Sequence, residues 1–134
     1  MKNEKKTYRQ LFDLIGKLNA AFTKESESKA QKKLTRVGEK IKVYADEYQK
    51  ELSSLQLDNA SVDKDDNLIY NEDKSYKFTK EALKKLEADI EKLLDKEIDY
   101  KVIQIINPEY FNKFTFLKGW ISGVEFDKED EDEL

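Results

Sequence analysis

Apolar residues at Tyr8, Leu11, Phe12, Ile15, Leu18 and Phe22 return every three or four positions, which predicts a first helix over about Lys5 to Phe22. A second series, Leu34, Val37, Ile41, Tyr44, Tyr48, Leu52 and Leu55, keeps the same spacing with no glycine turn or proline to end it before Leu57 other than the tolerated Gly38. It predicts one long helix starting near Ser26 or Ser28, roughly 45 Å at 1.5 Å per residue. The polar run Asp58 to Asn67 reads as an exposed loop. Leu68-Ile69-Tyr70 and Tyr76-Lys77-Phe78 then flank Asn71 to Lys74, the pattern of a hairpin with a four-residue loop. Thr79 ahead of Glu81 and Ala82 opens a third helix with an apolar face of Ala82, Leu83, Leu86, Ile90, Leu93 and Leu94, ending near Lys96.

Beyond it, Ile98, Tyr100 and Val102 alternate with Asp99 and Lys101, and Ile103, Ile105 and Ile106 follow, a strand expected to join the hairpin in a small antiparallel sheet. Asn107-Pro108 ends the strand, and Thr115 is placed to cap a last helix carrying Phe116, Leu117, Trp120, Ile121 and Val124, with Gly123 as its C-terminal cap. The fold class is therefore α+β and helix-dominated: a long antiparallel helical pair, N- and C-terminal helices, and a sheet of about three antiparallel strands. One domain is expected over residues 1–126, followed by an acidic tail over 127–134.

Charge sharpens the pairing. From Lys24 to Lys42 the second helix carries seven bases against Glu25, Glu27 and Glu39 and then turns acidic at Asp46, Glu47 and Glu51, whereas the third begins with Lys80, Lys84 and Lys85 and ends with Glu87, Asp89, Glu91, Asp95 and Glu97. Laid antiparallel, opposite charges face each other along the pair. The alternative for the stripe Lys29, Lys32, Lys33, Arg36 and Lys40 is contact with phosphates or other anions. The net charge of −4 is uneven: the tail holds six of the 29 acids and one of the 25 bases, leaving 23 and 24 elsewhere. A nearly neutral body gives no large field for nucleic acid or an anionic membrane.

Composition removes most chemistry. With no histidine and no cysteine, the chain lacks the usual general base, the usual zinc ligands and any disulfide, which points to a reducing compartment. No signal-peptide core or membrane span is legible. Carboxylates are scattered along solvated faces with no glycine-rich loop or nucleophile elbow, so no catalytic residue, metal or cofactor is assigned and the chain is read as a non-enzyme. Asp63-Lys64-Asp65-Asp66-Asn67 copies the start of a calcium loop, but Leu68 stands where glycine is needed and Lys74 where the bidentate glutamate is needed. The segment Tyr110 to Ile121 holds five of the aromatic residues, and Phe111, Phe114, Phe116 and Trp120 are either anchors for a partner protein or a lid on the core.

The order of Leu18-Asn19-Ala20-Ala21-Phe22, a long charged helix, Asp66-Asn67-Leu68 before a hairpin, Phe78-Thr79-Lys80-Glu81-Ala82, and Leu93-Leu94 leading to Glu97 and a strand resembles a family of small proteins encoded by tailed bacteriophages and prophages. The family has no established activity, so the resemblance transfers no residue role. It implies the cytoplasm of a bacterial host, or the virion, as the setting. It also implies two classes of role: an accessory virion or assembly component that docks on a protein partner or on itself as a homo-oligomer, or a counter-defence protein that sequesters a host immune protein or a signalling nucleotide.

Overall fold

The computed structural model describes residues 3–128 and mixes helix with sheet. Its order is β1 (Asn3–Thr7), α1 (Tyr8–Lys24), α2 (Ser28–Asn59), α3 (Lys80–Leu94), β2 (Glu97–Lys101), β3 (Ile103–Gln104), a 3₁₀ turn (Thr115–Leu117) and β4 (Ile121–Ser122). The body expected as one domain divides into two compact units, one of residues 3–45 with 97–128 and one of residues 46–96, and α2 contributes to both.

In the first unit, β1 pairs antiparallel with β2, Asn3 opposite Lys101 and Thr7 opposite Glu97. This strand replaces the first turn of the expected helix. The cause is the capping box at Thr7, whose hydroxyl accepts from the Gln10 amide at 3.1 Å while the Gln10 side chain accepts from the Thr7 amide at 2.9 Å. Helix α1 therefore starts at Tyr8 and buries Tyr8, Leu11, Leu14 and Leu18. Ala30, Leu34, Val37 and Ile41 of α2 meet the same core, together with Tyr100, Val102, Ile103, Phe111, Phe114, Leu117, Trp120 and Ile121.

Two expectations about the sheet are corrected. Strand β2 pairs with β1 and leaves the hairpin alone, and β3 pairs in parallel with β4, Ile103 opposite Ile121. The predicted C-terminal helix is also absent: Thr115–Leu117 is a single 3₁₀ turn within a chain of tight turns, Phe114 N–H to Phe111 O, Leu117 N–H to Phe114 O and Trp120 N–H to Leu117 O. Gly119 and Gly123 have φ of +85° and +86°, which ends any helix. Gly123 is no helix cap; it lets the backbone lie so close to β3 that a Cβ there would sit 2.6 Å from the Ile105 carbonyl oxygen.

In the second unit, Asp46 to Asn59 of α2 runs antiparallel to α3, since the Lys96 ammonium reaches Glu51 at 2.5 Å while Lys85 reaches Asn59 at 3.3 Å. Thr79 caps α3 as expected, accepting from the Ala82 amide at 3.1 Å. The hairpin narrows to an isolated bridge, Tyr70 opposite Tyr76, with five residues between, and Ser61 joins it by accepting from Ile69 N–H and donating to the Lys77 carbonyl. Asp63 spends one carboxylate oxygen on the amides of Asp65 at 2.8 Å and Asn67 at 3.0 Å, so the loop resembling a calcium site is closed by its own backbone. The segment 129–134 of the expected acidic tail lies outside the described residues; Asp127 is held by Asn112 through a 2.8 Å amide hydrogen bond.

Candidate functional site

The centre of the first unit is an aromatic stack. Tyr100, fully buried, donates its hydroxyl to the Trp120 carbonyl at 2.7 Å, meets the Trp120 ring edge-on at 4.9 Å, and lies 5.2 Å from the Tyr44 ring. The Lys6 ammonium sits 4.6 Å above Trp120. Burial, reinforced by Tyr44, raises the Tyr100 phenol above its ordinary value. Phe111, Phe114 and Trp120 are only 3%, 6% and 7% exposed, so of the two readings open for them their burial fits the lid on the core. Phe116 alone of the four stays half-buried.

The basic stripe is also placed differently from its expected pairing. The end of α3 lies beside the later part of α2, where burial, reinforced by Glu91, raises the Tyr48 phenol and Lys96 meets Glu51. The bases Lys29 to Lys40 belong to the first unit. Helical spacing of 3, 1, 3 and 4 residues sets Lys29, Lys32, Lys33, Arg36 and Lys40 along one flank of α2, while Ala30, Leu34, Val37 and Ile41 turn inward. Against that flank stands the segment Asn107 to Phe111, turned at Tyr110 by a φ of +74°.

Lys33 ties the two together. Its ammonium donates to the Asn107 carbonyl at 3.0 Å and the Glu109 carbonyl at 2.6 Å, and lies 5.4 Å and 5.5 Å from the rings of Tyr110 and Phe111. Aromatic rings therefore do stand beside the stripe, although sequence spacing shows none: they arrive from more than 70 positions away. Lys29, Lys32, Arg36 and Lys40 are exposed, and among the described residues none of their side chains has an acidic partner, although the Lys29 amide donates to the Glu27 carboxylate at 3.4 Å. Lys29, Lys32, Lys33 and Arg36 with Asn107, Glu109 and Tyr110 enclose a cleft of about 310 Å³. A second depression of about 330 Å³ adjoins it along Val37, Lys40, Ile103 to Asn107 and Phe111. Ile106, 88% exposed, stands at this wall.

A third hollow, about 490 Å³, lies between α1 and α2 and is floored by Ile15, Leu18, Leu34, Gly38 and Ala45 with Phe22 at its side. It is apolar and wide, with no set of converging polar groups. Among the described residues no three acids gather where they would hold a metal ion, and no helix is long and apolar enough to cross a membrane. Among these places, several charges of one sign converge at the cleft and at the adjoining depression, which Lys33, Arg36 and Lys40 line together with Glu39. Comparison with protein families, with curated proteins and with solved structures finds no match in any of the three.

Proposed function

We propose that this chain is a phage-encoded binding protein without catalytic turnover, and that it engages an anionic partner through the basic cleft of its first unit. The observation that carries the reading is the placement of four exposed bases, Lys29, Lys32, Arg36 and Lys40, on one flank without acidic partners among the described residues. Four like charges along one helix face repel one another, and the early ones also oppose the dipole of α2. An arrangement that costs local stability is understandable if an anion from outside relieves it.

Of the two roles that the phage resemblance implies, sequestration gains support over virion assembly. Three of the four aromatic residues that could have anchored a partner protein, Phe111, Phe114 and Trp120, lie inside the core. The bases that were expected to be consumed in helix pairing are on the surface.

The test compares wild-type protein with Lys32→Glu/Arg36→Glu. Despite its net charge of −4, the wild type should be retained on immobilised heparin at low salt, and the double variant should flow through with an unchanged melting temperature. The polypeptide should also be missing from purified phage particles. Equal retention of both proteins, or stoichiometric presence in particles, overturns the reading.

A further inference from the structure

We infer that the ligand held by the cleft is a nucleoside polyphosphate, with its phosphates against Lys29, Lys32 and Arg36 and its base on Tyr110. The inference rests on the reading of the cleft as an anion site and narrows it to one class of molecule.

Size comes first. At about 310 Å³ the cleft is at the small end of the roughly 300 to 1,000 Å³ typical of small-ligand sites, and it is bounded on one side by a turn of the chain. Such a hollow takes in a small molecule rather than a duplex or a protein face.

Charge comes next. Residues three and four apart on a helix stand about 5–6 Å from each other, so Lys29, Lys32 and Arg36 form a short row of cations on the scale of a diphosphate or triphosphate. The planar fork of Arg36 suits two oxygens of one phosphate, and the lysines act as point charges beside it. Four cations line the cleft against one acid, Glu109, a surplus of three positive charges.

The opposite wall sets the orientation. Carbonyl oxygens of Asn107 and Glu109 would repel a phosphate, but Lys33 already donates to both, so the row of cations on α2 is the surface that favours it. The same contact holds the Tyr110 ring at the cleft edge, half-buried, where its π-face can receive a base. The Glu109 carboxylate repels a bare polyanion and accepts hydrogen bonds from a sugar hydroxyl or an exocyclic amine. A ligand with phosphates at one end and a hydroxylated, ring-bearing body at the other satisfies all of these groups together.

Isothermal titration with ADP, GDP, CDP, UDP, pyrophosphate and adenosine tests the assignment. At least one of the diphosphates should bind about tenfold or more tightly than pyrophosphate, and adenosine should not bind measurably. Lys32→Glu/Arg36→Glu should weaken that diphosphate by about a hundredfold. Tyr110→Leu should weaken it about tenfold and leave pyrophosphate unchanged; Tyr110→Phe, which keeps the ring, should restore it if the fold is intact by Trp120 fluorescence. If pyrophosphate binds as well as every nucleotide, or Tyr110→Leu has no effect, the nucleotide assignment is wrong. If none of these probes binds while heparin retention still depends on Lys32 and Arg36, the small-ligand inference fails and the anionic-partner reading stands. Loss of that dependence removes both.

Discussion

Replacing Tyr100 with phenylalanine removes a single hydroxyl from the largest fully buried side chain among the described residues and leaves its ring contacts in place. The hydroxyl donates to the Trp120 carbonyl at 2.7 Å, and that carbonyl also accepts the Ile103 amide at 3.2 Å. The variant therefore loses one neutral hydrogen bond without orphaning the acceptor, a cost of about 1 kcal/mol, or about 4 °C in melting temperature for a chain of this size. Tyr100→Ala also loses the contacts with Tyr44 and Trp120 and should cost about 3–5 kcal/mol. Trp120 is the only tryptophan, so urea denaturation followed by its fluorescence reports on this unit directly. The same pair gives a pH dependence. Burial raises the Tyr100 phenol, so its contribution is complete below the ordinary tyrosine value of about 10 and is lost as the pH rises above it. The deficit of Tyr100→Phe relative to wild type should accordingly shrink in alkaline buffer, a difference in which the other tyrosines cancel. A neutral-pH cost above about 3 kcal/mol, or a deficit that is constant with pH, would refute the account of Tyr100 as a buried donor to a doubly served carbonyl.

Other outcomes follow from single positions. Gly38→Ala should stabilise α2 by up to about 1 kcal/mol, because an added Cβ meets nothing within 4 Å and the helix gains a better former; thermal denaturation followed by circular dichroism measures it. Gly123→Ala should cost about 2–3 kcal/mol in the same assay, since φ is +86° and the Cβ would press on the Ile105 carbonyl. Lys113→Ala should cost about 1–2 kcal/mol, because Lys113 donates to both carboxylate oxygens of Glu25, at 2.5 Å and 2.7 Å, beside the negative end of α1. Adding Glu25→Gln to that variant should recover part of the loss, as a double-mutant cycle in urea reads.

What the sequence determined by itself was set by neighbours close along the chain. The three helices follow from apolar spacing of three and four residues, and the start of α3 from the Thr79 hydroxyl three positions ahead of the amide it caps, whereas the cap at Thr7 emerged only in the structure. An α+β, helix-dominated class was legible on that basis. Strand β1 was not, because Asn-Glu-Lys-Lys-Thr has no apolar alternation and is held by pairing with Glu97 to Lys101. The parallel pairing of Ile103 with Ile121 and the turns that replaced a helix around Trp120 depend on left-handed glycines and on a backbone approach that no local period encodes. The bases of the cleft could be named from spacing alone. The contact of Lys33 with Asn107 and Glu109, the aromatic wall at Tyr110 and the burial of Phe111, Phe114 and Trp120 were decided by the tertiary structure, because long-range packing chooses which of several charged or apolar faces finds a partner.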